Sequence, residues 1–175
     1  MISQGRKEII IQGFFTNDEY NLFDAETLQN EYAEYLDVSN NQRIVFDDSL
    51  YISLEGSETE YTAASNAKII AYMTTRELDF VVTTKAVMEY YLESIPMMDL
   101  NNVLPPELRK LLTDSLYMGI DGSGNEGIVA LDMAQSRYLR DRDDVDFGKY
   151  YLFVPYNLPD TSRVAAFIEY CFCNE

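Results

Sequence analysis

An α/β domain, built on a mostly parallel sheet with helices on both faces, is the fold class this chain predicts, and three observations predict it. Three nearly continuous apolar runs, Glu8–Phe15 (EIIIQGFF), Leu78–Thr83 (LDFVVT) and Lys149–Pro155 (KYYLFVP), have the length of strands and the composition of strands buried on both faces. Segments with apolar residues at helical spacing alternate with strand patterns through the first half, the arrangement of parallel strands joined by right-handed crossovers. The chain has 175 residues, 47% of them hydrophobic with 14 Tyr and 9 Phe, which suits one domain with a substantial core. Residues 1–175 read as that single domain, with no internal repeat, linker or low-complexity tract.

The elements follow in order. After the first strand, Thr16 and Glu19 are spaced as a capping box, and a helix is expected from about Asp24 to Leu36 with Leu28, Tyr32, Tyr35 and Leu36 on one face. A second strand begins near Arg43; Leu50, Ile52 and Leu54 alternate as its half-exposed far end, with a bend at Asp47-Asp48. Ser57 and Glu60 offer a second capping box, ahead of a helix whose stripe is Ala63, Ala67, Ile70, Ala71 and Thr74. The third strand is Leu78–Thr83, and Thr83 or Thr84 caps the next helix, which turns Val87, Tyr90 and Tyr91 inward. Pro105-Pro106-Glu107 starts a short helix through about Leu112, since proline suits a first helical turn. Leu116–Asp121 and Gly127–Met133 read as two strands joined by a glycine-rich turn, Ala134–Arg140 as helical, and residues 141–146 as a solvated charged loop. Lys149–Pro155 reads as one more strand. Asp160 or Thr161 then caps a last helix carrying Val164, Phe167, Ile168, Cys171 and Phe172 at core spacing.

Composition excludes several functions. A formal charge of −17 repels phosphate backbones and anionic lipid, so no nucleic acid is expected as a partner, while cationic partners remain open. The absence of histidine removes the usual general base near neutral pH and every Ser-His or Cys-His pair, which argues against an enzyme. Cys171 and Cys173 are too close for an unstrained disulfide; Cys171 reads as a small apolar residue on a helix face. No run approaches the length of a membrane helix and no signal-peptide pattern opens the chain, so the chain as given reads as soluble.

Three blocks carry a family resemblance: LDFVVTTKAVMEYY through DLNNVLPPEL, then LYMGIDGSGN, then YYLFVPYNLPDTSRVAAFIEYCF. Together they resemble the extracellular solute-binding proteins of bacterial ABC transporters, with their type 2 periplasmic-binding fold. The resemblance implies a lobe of that fold, displayed on the extracellular face of a bacterial membrane and tethered by a segment upstream of this sequence. Members of the family have two α/β lobes that clamp a ligand between them. Here the insertion around residues 95–148 is too short for a second lobe, so the expectation is one lobe with a reduced insertion.

In open α/β sheets ligands sit beyond the carboxyl ends of the strands, near helix N-termini. That rule nominates Phe15, Thr16, Asn17 and Asp18 after the first strand, Thr83 and Thr84 after the third, and Tyr156 and Asn157 after the Lys149–Pro155 strand. The plainer reading of the threonines and Asn17 is that they cap helices. Asp121 to Gly127 with Asp132 has some of the spacing of a calcium loop, but Glu126 and Asp132 depart from that pattern, so a tight turn is expected and no metal or cofactor. The sequence thus leads to a non-enzymatic extracytoplasmic binding domain with an unidentified small solute. The alternatives are a protein–protein interaction domain that has lost the solute, with an apolar or tyrosine-rich patch, and an enzyme working without histidine.

Overall fold

A computed structural model of the chain describes residues 7–54, 59–143 and 146–173. Its six strands are β1 (Glu8–Phe15), β2 (Gln42–Asp47), β3 (Phe80–Thr84), β4 (Leu116–Ile120), β5 (Glu126–Asp132) and β6 (Tyr150–Phe153). The five α-helices are α1 (Ala25–Leu36), α2 (Glu60–Thr74), α3 (Lys85–Ser94), α4 (Pro106–Leu111) and α5 (Ser162–Cys173). One sheet takes all six strands in the order β2-β1-β3-β6-β5-β4.

The sheet is mixed. β1 pairs in parallel with both β2 and β3, as the alternation of strands and helices predicts. β6 runs antiparallel to β3, β5 antiparallel to β6, and β4 antiparallel to β5. Four of the six strands still point one way. The reversal of β6 has a physical reason: a parallel neighbour needs a crossover long enough to span the sheet, commonly a helix, and the described residues between β5 and β6 contain only a 3-10 turn at Met133–Gln135 and further turns. The expected helix over Ala134–Arg140 is reduced to that turn.

Continuous apolar runs become intelligible once both faces are covered. Phe15, Phe80 and Val82 face a cluster with Leu28 and Tyr32 of α1 and Val164, Phe167 and Ile168 of α5. Phe14, Val81 and Phe153 face the opposite cluster, with Ile69 and Met73 of α2 and Val87, Met88 and Tyr91 of α3. In the first cluster, the Phe80 and Phe167 rings stack with centroids 4.8 Å apart, and Phe46 packs against both. Phe80 reaches this position by lying over Gly13, its register partner on β1, where a Cβ would come within 2.1 Å of the ring. Glycine in mid-strand is weak by itself, and here the ring occupies the space a side chain would need.

A buried carboxylate ties the far end of the sheet together. Asp79, just before β3, accepts from the Gln12 backbone N–H at 2.7 Å and from Arg163 Nη2 of α5 at 2.9 Å. Burial raises its pKa, opposed by those two donors.

Several sequence expectations shift. The second strand ends at Asp47, whose carboxylate accepts from Ser49 N–H at 2.8 Å and turns the chain. Leu50 and Ile52 therefore pack as a buried loop, not as strand residues. Ser57 lies outside the described residues; the capping box of α2 is Thr59 with Thr62. The buried face of that helix is Thr62, Ser65, Ile69 and Met73, while Ala67, Ile70, Ala71 and Thr74 face solvent and Ala63 is half-buried. Alanines fit either face, so a stripe of small residues did not discriminate between two rotations of the helix. Tyr35 and Tyr90 are likewise exposed at the edges of their helices.

Candidate functional site

Beyond the carboxyl ends of β1 and β3 lies an open cleft of about 460 Å³. Its floor and walls come from three separate stretches of chain: the turn after β1, the loop after β2, and the approach to β6. The start of α3 completes the rim with Thr84, Ala86 and Val87. The volume lies within the range of small-ligand sites, roughly 300–1,000 Å³.

The turn after β1 is held open by polar side chains. Asn17 adopts a left-handed conformation (φ 59°), which asparagine tolerates better than most residues. Its side chain donates from Nδ2 to the Ile52 carbonyl at 2.9 Å and accepts the Ile52 N–H on Oδ1 at 3.0 Å. This two-way pairing fastens the loop after β2 against the end of β1, as a neighbouring strand would. The Tyr150 hydroxyl donates to the Asn17 carbonyl at 2.7 Å and brings β6 into the same knot. Two more left-handed residues, Asn21 and Asp24, complete the turn. Inside it, the Asp18 carboxylate accepts from the Leu22 and Phe23 N–H groups at 2.7 and 3.0 Å.

Charge accumulates at this end of the molecule. Burial raises the pKa of Asp18, with the backbone donors of Phe23 and Leu22 working against it and nearby Asp48 adding to the rise. Burial also pushes the Tyr150 phenol well above its usual range, and the negative charges of Asp18 and Glu19 reinforce that shift. Glu19 in turn accepts from the Tyr51 hydroxyl at 2.8 Å, which holds carboxylate and ring together at the rim.

Of the eight sequence candidates, Asn17 and Thr84 line the cleft. Thr84 also caps α3, accepting from Val87 N–H at 3.4 Å, so the plainer capping role and the site role coincide there. Thr16 and Thr83 are fully buried and hydrogen-bond each other at 2.7 Å between the Oγ1 atoms, pinning the ends of β1 and β3 together. Thr16 therefore caps no helix; α1 begins at Ala25, and the proposed box with Glu19 does not form. Phe15 is fully buried in the aromatic core, and Asp18 braces the turn from within. Tyr156 and Asn157 lie at the opposite end of the sheet, because β6 is antiparallel: Tyr150 pairs with Thr84, and the strand then runs away from the cleft. There Asn157 donates to the carbonyl of Met73 at the end of α2.

Sequence reasoning missed Glu19, Tyr51, Asp146, Phe147 and Tyr150 as lining residues. Tyr51 was hidden in the apparent strand alternation, and Phe147 and Tyr150 sit before a strand whose direction the pattern does not encode.

The glycine-rich turn behaves as expected. Asp121 is buried, and its carboxylate accepts from the N–H groups of Met97, Ser123 and Asn125 at 2.9 to 3.0 Å, so its oxygens serve the turn. Cys171 is fully buried in α5 and Cys173 exposed, both as free thiols. Among the described residues no helix is long and apolar enough to cross a membrane. Comparison with known protein families, characterised protein sequences and solved structures found no match for this chain.

Proposed function

We propose that this chain is a non-enzymatic binding domain that takes a small polar solute in the cleft beyond β1 and β3. The observation that supports this most directly is the coincidence of that cleft with the carboxyl ends of parallel strands and a helix N-terminus, where open α/β sheets bind ligands. The Asn17–Ile52 and Tyr150–Asn17 hydrogen bonds add to it, since they hold the walls in place before any ligand arrives. The reading keeps the extracytoplasmic address and the single periplasmic-binding-like lobe that the family resemblance implies.

Thermal denaturation against a library of small solutes tests it, with Ala86→Trp as the control. Ala86 is exposed on the cleft rim, so the indole fills the cleft without disturbing the core. A solute at a hundredfold excess over its Kd stabilises by about 2.7 kcal/mol, and at about 2–4 °C per kcal/mol for this chain length that raises Tm by about 5–10 °C. The shift should vanish in Ala86→Trp. A library without a hit, or a hit indifferent to the tryptophan, sinks the proposal.

One observation favours a second reading, an interaction domain that self-associates. β4 is an outer strand of the sheet, its sequence LYMGI carries neither charge nor proline, and Met118 and Ile120 are 61% and 58% exposed. Edge strands ordinarily carry such protection against pairing. This reading predicts a dimer by light scattering that Met118→Lys converts to a monomer; a wild-type monomer at high concentration ends it.

A further inference from the structure

We infer that the cleft is built for an organic cation, a small amine or quaternary ammonium compound. The inference rests on the proposal that the cleft is the binding site, and it adds the chemistry of the ligand.

Three features of the lining carry it. Two carboxylates, Glu19 and Asp146, border the cleft, and among the described residues no lysine or arginine lines it, although the charge of Arg142 acts on neighbouring Asp18. Four aromatic side chains, Tyr20, Tyr51, Phe147 and Tyr150, share that lining. Aromatic rings with carboxylates and no cation in the lining suit an ammonium group, because ring faces attract a cation without demanding its hydrogen atoms. The third feature is the direction of the hydrogen bonds. The Tyr51 proton goes to Glu19, the Tyr150 proton to the Asn17 carbonyl, and the Asn17 amide to the Ile52 carbonyl. With both phenol protons and one of the two Asn17 amide hydrogens committed to the protein, what the two tyrosines offer the cleft is acceptor oxygen and ring surface. A carboxylate ligand needs donors from the site; an ammonium group needs acceptor oxygen and ring surface, and a primary amine supplies its own donors.

The N-terminus of α3 opens onto the same cleft and, taken alone, favours an anion. Its macrodipole amounts to roughly half a positive charge. Two full carboxylates outweigh it. The net charge of −17 further raises the local concentration of any cation and steers it inward.

The test uses choline, its uncharged carbon isostere 3,3-dimethylbutan-1-ol, cadaverine as a primary diamine, and glucose and glutamate as neutral and anionic solutes. Binding is followed by calorimetry and by amide chemical shifts in the purified domain at physiological salt. We expect choline or cadaverine to bind one to one, with shifts confined to Asn17, Tyr51, Thr84 and Tyr150. The isostere should bind at least about tenfold more weakly, as should the cation to Glu19→Gln/Asp146→Asn, a difference of about 1.4 kcal/mol or more. Both substitutions are at exposed positions, so Tm should hardly change. Equal or tighter binding of the isostere, glucose or glutamate in the cleft overturns the cation assignment and leaves the site proposal standing. Cation-induced shifts spread over the acidic surface and unaltered in the double variant mean counterion binding and overturn it too. No shift in the cleft with any probe overturns both.

Discussion

Replacing Asn17 by alanine and, separately, by glycine separates the two jobs of that residue. The side chain makes two hydrogen bonds to the Ile52 backbone, both buried, with Asn17 8% and Ile52 4% exposed. Each bond contributes about 1 kcal/mol net, and truncation leaves a buried N–H and a buried C=O facing no partner, so their loss costs about 2 kcal/mol at least. The left-handed φ of 59° adds a second term. A residue with an ordinary Cβ loses about 1 kcal/mol or more there, which brings Asn17→Ala to about 3 kcal/mol. Glycine escapes the steric term but loses about 0.5–1 kcal/mol through its freer unfolded chain. Asn17→Gly should therefore lie up to about 0.5 kcal/mol above Asn17→Ala and still well below wild type. Urea unfolding followed by far-ultraviolet circular dichroism reads these differences as midpoint shifts at constant slope. In heat the alanine variant should lose about 6–12 °C. An alanine variant less than about 1 kcal/mol below wild type would show that the clamp is not holding the loop. An alanine variant more stable than the glycine one would show that the backbone is not strained at this position.

Two further substitutions probe the scaffold. Gly13→Ala places a methyl group 2.1 Å from a Phe80 ring that Phe15, Phe46 and Phe167 hem in, so it should cost about 3 kcal/mol or more, at the high end of overpacking; in a Phe80→Leu background the same change should cost at least about 1 kcal/mol less, and strict additivity in denaturant unfolding refutes the steric account. Asp121→Asn tests the turn before β5. Burial raises this carboxyl, but the donors from Met97, Asn125 and Ser123 outweigh burial and hold it below its ordinary 3.8. A depressed folded-state pKa contributes stability that is present above the unfolded value and lost as pH falls through the folded one. The gap between wild type and variant should thus be full at pH 7 and shrink below about pH 4. The raised carboxyls of Asp18 and Asp79 are common to both proteins and cancel in the difference. A gap that stays constant from pH 7 to pH 3 contradicts the assignment.

Local pattern carried the elements well where one physical signal acted alone. β1 and β3 were legible because both faces are buried along most of their length and most of their residues are apolar, and α5 because Val164, Phe167, Ile168 and Cys171 leave no second way to turn the helix. Legibility failed where two structures satisfy the same residues. The alanines of α2 fit either rotation, and Leu50, Ile52 and Leu54 alternate as a strand does although an Asx turn at Asp47 has already taken the chain out of the sheet. Asn17 stood out by position, yet its pairing with Ile52 joins residues 35 apart and is invisible to any local pattern.

The direction of β6 decides which residues meet at the cleft. An apolar run of four buried residues, Tyr150 to Phe153, packs equally well either way up, so its sequence is silent on polarity. Had it run parallel to β3, its carboxyl end would have delivered Tyr156 and Asn157 beside Thr84, and the charged loop would have lain at the far edge. Running antiparallel, it delivers its amino end instead: Tyr150 beside Thr84, with Phe147 and Asp146 just upstream. The reversal thus exchanges a tyrosine and an amide for two aromatic rings and a carboxylate. An amide donor would have suited a carbonyl or hydroxyl ligand. The rings and the acid turn the site toward a positive charge, so the cationic character of the proposed ligand follows from strand topology as much as from the residues themselves.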